Sequence, residues 1–102
     1  MIQFEWDEAK ARANRKKHGV SFEDGARIFS DPYAIFREDR IEDGELRWHA
    51  IGIADGVALL LVAHTMTPGS TDETEVVRII SARRATRKEK LLYEQARAEN
   101  IG

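Results

Sequence analysis

The segment Val57-Ala58-Leu59-Leu60-Leu61-Val62-Ala63, continuing through His64 and Thr65 to Met66, restricts the fold of this chain more than any other. Alternation between apolar and polar residues is lost in it. A strand from Val57 to Met66 is therefore apolar on both faces and belongs at the centre of a sheet. The uninterrupted apolar run is far short of the ~18 residues a membrane-spanning helix needs. Asp55-Gly56 reads as the hairpin turn before it, and Leu46 to Ile53 as the preceding strand. After a polar loop from Pro68 to Thr74, the β-branched stretch Glu75 to Ala82 supplies a further strand. On the other side, Tyr33 to Phe36 reads as a strand and the acidic stretch Glu38 to Glu45 as a loop turning at Asp43-Gly44.

Helices flank this strand-rich half. Phe4 to Trp6 alternates like an edge strand, and Asp7 is placed to cap a helix running to about His18, closed by Gly19 in a left-handed conformation. Cationic Arg15, Lys16 and Lys17 in its last turn complement the negative end of the helix dipole. Ser21 opens a second helix with Phe22, Ala26 and Phe29 as its buried stripe, ended by Asp31-Pro32. Thr86 and Glu89 form a capping box for a last helix with Leu91, Leu92 and Ala96 on its inner face. The order β-α-α-β-β-β-β-α predicts an α+β domain with a mainly antiparallel sheet.

Composition removes whole classes of function. With 102 residues the chain has room for one core, so residues 1–102 are read as a single domain. There is no cysteine, which excludes a disulfide scaffold, a thiolate zinc site and a cysteine nucleophile. His18, His49 and His64 lie too far apart for short metal-ligand spacings, and no phosphate loop or nucleophile elbow is present. Neither a metal nor a cofactor is expected. The acidic start of the chain lacks the positive charge of a secretory signal, so a soluble cytoplasmic protein is expected.

The net charge of −2 conceals opposed blocks. Lys10 to Gly19 carries five Lys or Arg and no acid, and Arg83 to Lys90 carries five more against Glu89 alone. Acids collect at Glu38 to Glu45 and at Asp72 to Glu75. Strand alternation puts Arg47 and His49 on one face, roughly 7 Å apart. It sets Thr65 beyond Leu59, Leu61 and Ala63, and Arg78 with Val76 and Ile80. Ser81 and Arg83 then follow Val77 and Ile79 on the other face. Guanidinium groups bind phosphate oxygens bidentately and keep their charge at any working pH. The residues alone leave two readings open: a phosphodiester site, or arginines at strand ends paired with nearby acids. His18 can likewise serve chemistry or the last carbonyls of its helix, and Tyr93 can be core.

These residues also resemble a known family. Phe4-Glu5-Trp6-Asp7, Lys10, Asn14 and Lys17-His18-Gly19-Val20-Ser21-Phe22 are similar to the N-terminal signature of BrnT toxins of bacterial type II toxin–antitoxin pairs. Gly44-Glu45, Arg47, Ile51-Gly52, Leu59-Leu60-Leu61-Val62, Thr65, Arg78-Ile79-Ile80-Ser81-Ala82-Arg83, Glu89 and Tyr93 continue the pattern. The resemblance implies a compact RelE-like fold and a metal-independent endoribonuclease that inhibits translation. It implies Arg47, Arg83, Arg78 and His18 as catalytic residues, and Lys17, Thr65, His49, Ser81 and Tyr93 as substrate-binding ones. It further implies a BrnA-type antitoxin with a ribbon-helix-helix part, forming a heterotetramer that reaches DNA only through the antitoxin. An antitoxin segment covering the basic surface is expected to be partly acidic. Thr67 stands where many members carry Arg, so the alternative is an inactive module that binds the antitoxin as a co-repressor.

Overall fold

A computed structural model describes residues 1–56 and 58–101; Val57, the expected first residue of the central strand, lies outside them. The elements are β1 (Ile2–Glu5), α1 (Glu8–His18), α2 (Phe22–Arg27) with a 3-10 turn at Ile28–Ser30, β2 (Ile35–Glu42), β3 (Glu45–Ala54), β4 (Ala58–Pro68), β5 (Glu75–Arg84) and α3 (Arg87–Ile101). The five strands form one sheet in the order β1-β5-β4-β3-β2. β1 runs parallel to β5, and the other pairs are antiparallel. The doubly apolar strand β4 is thus central, as its composition requires.

Helix ends follow the local chemistry. The Asp7 side chain accepts from the Lys10 backbone N–H, and Gly19 closes α1 at φ 70° with its N–H on the Arg15 carbonyl. At α3 the box is reciprocal: Thr86 N–H donates to Glu89 at 2.8 Å and Glu89 N–H to the Thr86 hydroxyl at 3.3 Å. The β2–β3 turn has both Asp43 and Gly44 at positive φ, the geometry that makes Asp-Gly the favoured two-residue hairpin.

The two faces of the sheet carry separate cores. On one, Ala50, Leu60, Val62, Val77, Ile79 and Ala82 pack under Val20, Phe22 and Ile28 from the first helical layer. On the other, Ile51 and Leu61 pack under Tyr93 of α3. Gly25 allows the first of these approaches. A Cβ there would meet Ala82 Cβ and Val62 Cγ2 at 3.3 Å.

Four expectations are corrected. Tyr33 lies in a turn, its N–H on Asp31, and the strand begins at Ile35. The acidic stretch Glu38 to Glu42 is strand, not loop, because an exposed edge strand tolerates alternating charge and its acids meet Arg40 and Arg47. Leu91 points to solvent, and Leu92, Tyr93 and Ala96 form the inner side of α3. The fourth correction decides the site. Ala63 faces Ser81 but His64 faces Ile79, so Ile80 is an extra residue that bulges from β5. One extra residue reverses the parity of everything beyond it. Arg78 therefore shares a face with Ser81 and Arg83 instead of opposing them.

Candidate active site

The strand register aligns the polar residues into rows across the face that α3 only partly covers. Thr65 lies opposite Arg78, and the Trp48–His64 pairing sets Arg47 beside Thr65 on its other flank. Neighbouring strands are about 4.8 Å apart, so Arg47, Thr65 and Arg78 form one row. One step along lies the row Arg37, His49, Ala63, Ser81. A second bulge, at Asp39 in β2, keeps Arg40 opposite Arg47 on this same face.

Acids hold the guanidinium groups apart. Arg47 Nη1 lies 3.1 Å from Glu42 Oε2, and Arg78 Nη2 donates to Glu45 Oε1 at 2.6 Å. His49 Nε2 is 3.5 Å from Asp39. Thr65 is 3% exposed beneath them. The Arg47 side chain is 18% exposed, and its Nε is buried with no hydrogen-bond partner among the described residues. A buried cationic donor lacking an acceptor is an opening for an anion. Beside the row is a cleft of about 300 Å³ lined by Arg47, Arg78 and Lys10 together with Asp7, Asp43 and Glu45. The sequence places Lys10 in the basic block and in the family pattern, but not among the site residues. The chain turn after β1 delivers it, and nothing in its own neighbourhood announces that.

Other expected site residues lie elsewhere. Arg83 faces Leu61, next to α3, and its guanidinium grips Glu89 at 2.8 and 2.9 Å and the Arg84 carbonyl at 3.2 Å. These bonds hold the Glu89 carboxyl down to about 2 and raise Arg83 further. Lys17 and half-buried His18 end α1. The next residues, Gly19 and Val20, line a cleft with Ala54, Asp55 and Ala58 at the β3–β4 hairpin. Arg47 and Ala54 are separated along β3 by roughly 23 Å, so His18 and Arg47 occupy opposite ends of the sheet. Tyr93 is buried, its hydroxyl donating to Asp31 at 2.6 Å. Burial and that bond push the phenol up to about 12.

Two residues named in the sequence have structural roles that it does not reveal. Asn14 lies where β1 has ended and the edge of β5 would be bare. Its amide donates to the Ala82 and Val20 carbonyls at 2.8 and 3.0 Å, and its oxygen accepts from the Ala82 N–H at 3.1 Å. Asp31 accepts from the N–H groups of Tyr33 and Ile53 as well as from Tyr93, tying α3 to the sheet. Among the described residues there is no cluster of His, Asp and Glu fit for a metal, and no helix long and apolar enough to cross a membrane.

The protein is a small α+β domain that presents aligned arginines at one end of its sheet. Residues 6–89 match the family model for the ribonuclease toxin, BrnT, of type II toxin–antitoxin systems, and the chain belongs to that family. Its structure is similar to the 1.1 Å crystal structure of the Brucella abortus ribonuclease toxin BrnT. That match has a TM-score of 0.63 and 27% identity, and covers 85% of this chain and 100% of that one. Comparison with curated protein sequences finds no match.

Proposed function

We propose that this chain, as one toxin domain, is a cytoplasmic endoribonuclease that cleaves RNA without a metal, inhibits translation and is neutralised by a BrnA-type antitoxin. The observation that carries the reading is the row Arg47–Thr65–Arg78 beside a cleft that also holds Lys10. In the reaction the 2′-oxygen attacks phosphorus while the bond from phosphorus to the 5′-oxygen breaks. One proton leaves the 2′-hydroxyl and one arrives on the departing oxygen. Arg47 and Arg78 hold the phosphate and stabilise the charge that develops on its equatorial oxygens, a preorganised effect usually dominant in such sites. Thr65 orients the phosphate from below, and Ser81 reaches the same face one row along. Phosphate displaces Glu42 and Glu45 from the guanidinium groups, leaving these carboxylates beside the reacting atoms.

His49, on the same face as Arg47 and two residues along β3, is the group that moves protons. His18 and Lys17 lie too far away to act on the same phosphate. Arg83 acts indirectly, by fixing the start of α3. The antitoxin supplies the ribbon-helix-helix part, assembles with the toxin as a heterotetramer and makes the DNA contact.

The test is cleavage of a synthetic RNA by purified protein in the presence of a chelator. Arg47→Ala and Arg78→Ala should each lower the rate roughly 10²–10³-fold, and induction of the wild-type chain should arrest growth with RNA breakdown. Unchanged cleavage by both variants sinks the assignment. The second reading, an antitoxin-binding module without nuclease activity, draws on the Glu42 and Glu45 contacts that already engage both guanidinium groups. Intact RNA with soluble wild-type protein would favour it.

A further inference from the structure

The end of the sheet that presents arginines on one face presents rings on the other. Phe4 in β1, Phe36 in β2 and Trp48 in β3 share the face of His64 and Val77 by register, and Phe29 reaches them from the 3-10 turn. The rings are continuous: Phe4 to Phe29 is 5.2 Å between centroids, Phe29 to Phe36 5.6 Å and Phe29 to His64 5.0 Å. Phe29 is what the first helical layer lays on them, and it leaves the outer rings partly open. Phe36 is 44% exposed and Phe4 36%, with Ile2 and Leu46 also open beside them. Beneath the rings His64 is fully buried, its Nδ1 3.3 Å from the Thr65 carbonyl and its Nε2 with no hydrogen-bond partner among the described residues.

The rim of this patch is acidic. Glu38 stands directly opposite Trp48, and Glu75 begins β5 beside Ile2; both are exposed. That sign discriminates among occupants. RNA stacks on exposed rings, but here its phosphates would meet carboxylates. Two copies of the chain placed face to face would set Glu38 and Glu75 against the same acids. A protein segment with apolar side chains between Lys or Arg residues satisfies both the rings and the rim, and complementarity of this kind fixes the partner and speeds encounter. An interface of stable size needs about 800 Å² per partner, more than a short row of arginines supplies.

We propose that the ringed face anchors the antitoxin through an amphipathic segment whose apolar side chains cover Phe4, Phe36 and Trp48 and whose basic residues meet Glu38 and Glu75. The proposal rests on the toxin–antitoxin reading but not on RNA cleavage. The anchor lies on the reverse of the strands that carry Arg47 and Arg78, so the sheet separates holding from catalysis.

The test measures binding of a purified BrnA-type antitoxin, with no RNA present. Phe36→Glu and Phe4→Glu, on different strands and each at an exposed ring, should weaken binding about 30-fold or more, while RNA cleavage by the free toxin is unchanged. Glu38→Lys should slow association and reduce its dependence on salt. Thermal melts establish that each variant is folded, and two strands provide independent variants if one is not. The proposal is overturned if both ring variants bind as tightly as wild type while Arg47→Ala/Arg78→Ala binds weakly, since the antitoxin then sits on the cationic face alone. Loss of RNA cleavage in the folded ring variants would make this an RNA surface. A wild-type dimer dissolved by Phe36→Glu would make it a contact between copies. Absence of any complex with the wild-type chain removes the partner reading itself, whatever the cleavage assay shows.

Discussion

Acidification should destabilise this protein through His64. Burial against Phe29 and Phe36 pushes the imidazole down to about 4 from an ordinary 6.5, and the charge of His49 acts in the same direction. The Thr65 carbonyl favours the protonated ring but does not offset burial. The unfolded chain therefore binds a proton that the folded one refuses. Stability contributed by the neutral ring is complete above pH 6.5 and declines as the pH falls toward 4. Integrating the linkage relation gives a loss of about 2 kcal/mol at pH 5 and about 3 kcal/mol at pH 4. Replacing the ring with an aliphatic group, His64→Leu, removes the proton and the partnerless Nε2 together. Urea unfolding of both proteins at several pH values between 7 and 4.5 isolates the effect. The wild type should lose stability relative to the variant by the amounts given. A difference independent of pH over that window would refute the reasoning, because it would mean the folded protein admits the proton as readily as water does.

Other consequences follow from single contacts. Asn14→Ala should cost about 3 kcal/mol in urea unfolding, since it strands the Ala82 N–H and two carbonyls at a sheet edge. Glu89 has its folded pKa lowered from 4.5 to about 2, so its contribution is present above pH 4.5 and is lost as the pH falls toward 2. Arg83→Ala should flatten that acid limb and cost about 1–2 kcal/mol at neutral pH, the pair being partly open to solvent. Tyr93→Phe should cost about 1–2 kcal/mol. In an ultraviolet titration it should also remove the phenol that ionises at about 12.

Local chemistry was legible and long-range geometry was not. The Asp7 and Gly19 ends of α1, the Thr86–Glu89 box and the central place of β4 each depend on residues a few positions apart, and each stands as read. Counting alternation along β5 failed at Ile80, because a bulge is imposed by the strands on either side and leaves no mark in its own residues. That one residue determines whether Arg78 and Arg83 oppose or accompany each other. Charge misleads at β2, where acids that suggest a loop are met by Arg40 of the same strand and Arg47 of the next. His18 was readable as a helix end. The end of the sheet that α1 reaches is set by Asn14 gripping Ala82, sixty-eight residues away. The bond from Tyr93 to Asp31 spans a similar distance, so neither partner signalled the other.

The parallel pairing of β1 with β5 has a consequence in time. Ile2 to Glu5 pair with Glu75 to Arg78, seventy-three residues further along the chain. Contacts between such distant segments close late, because the chain entropy lost in bringing them together is regained only once the strands pair. The row Arg47–Thr65–Arg78 takes one member from that last strand. A chain that has not yet reached β5 carries Arg47 without Arg78, and the cleft does not exist until β5 pairs.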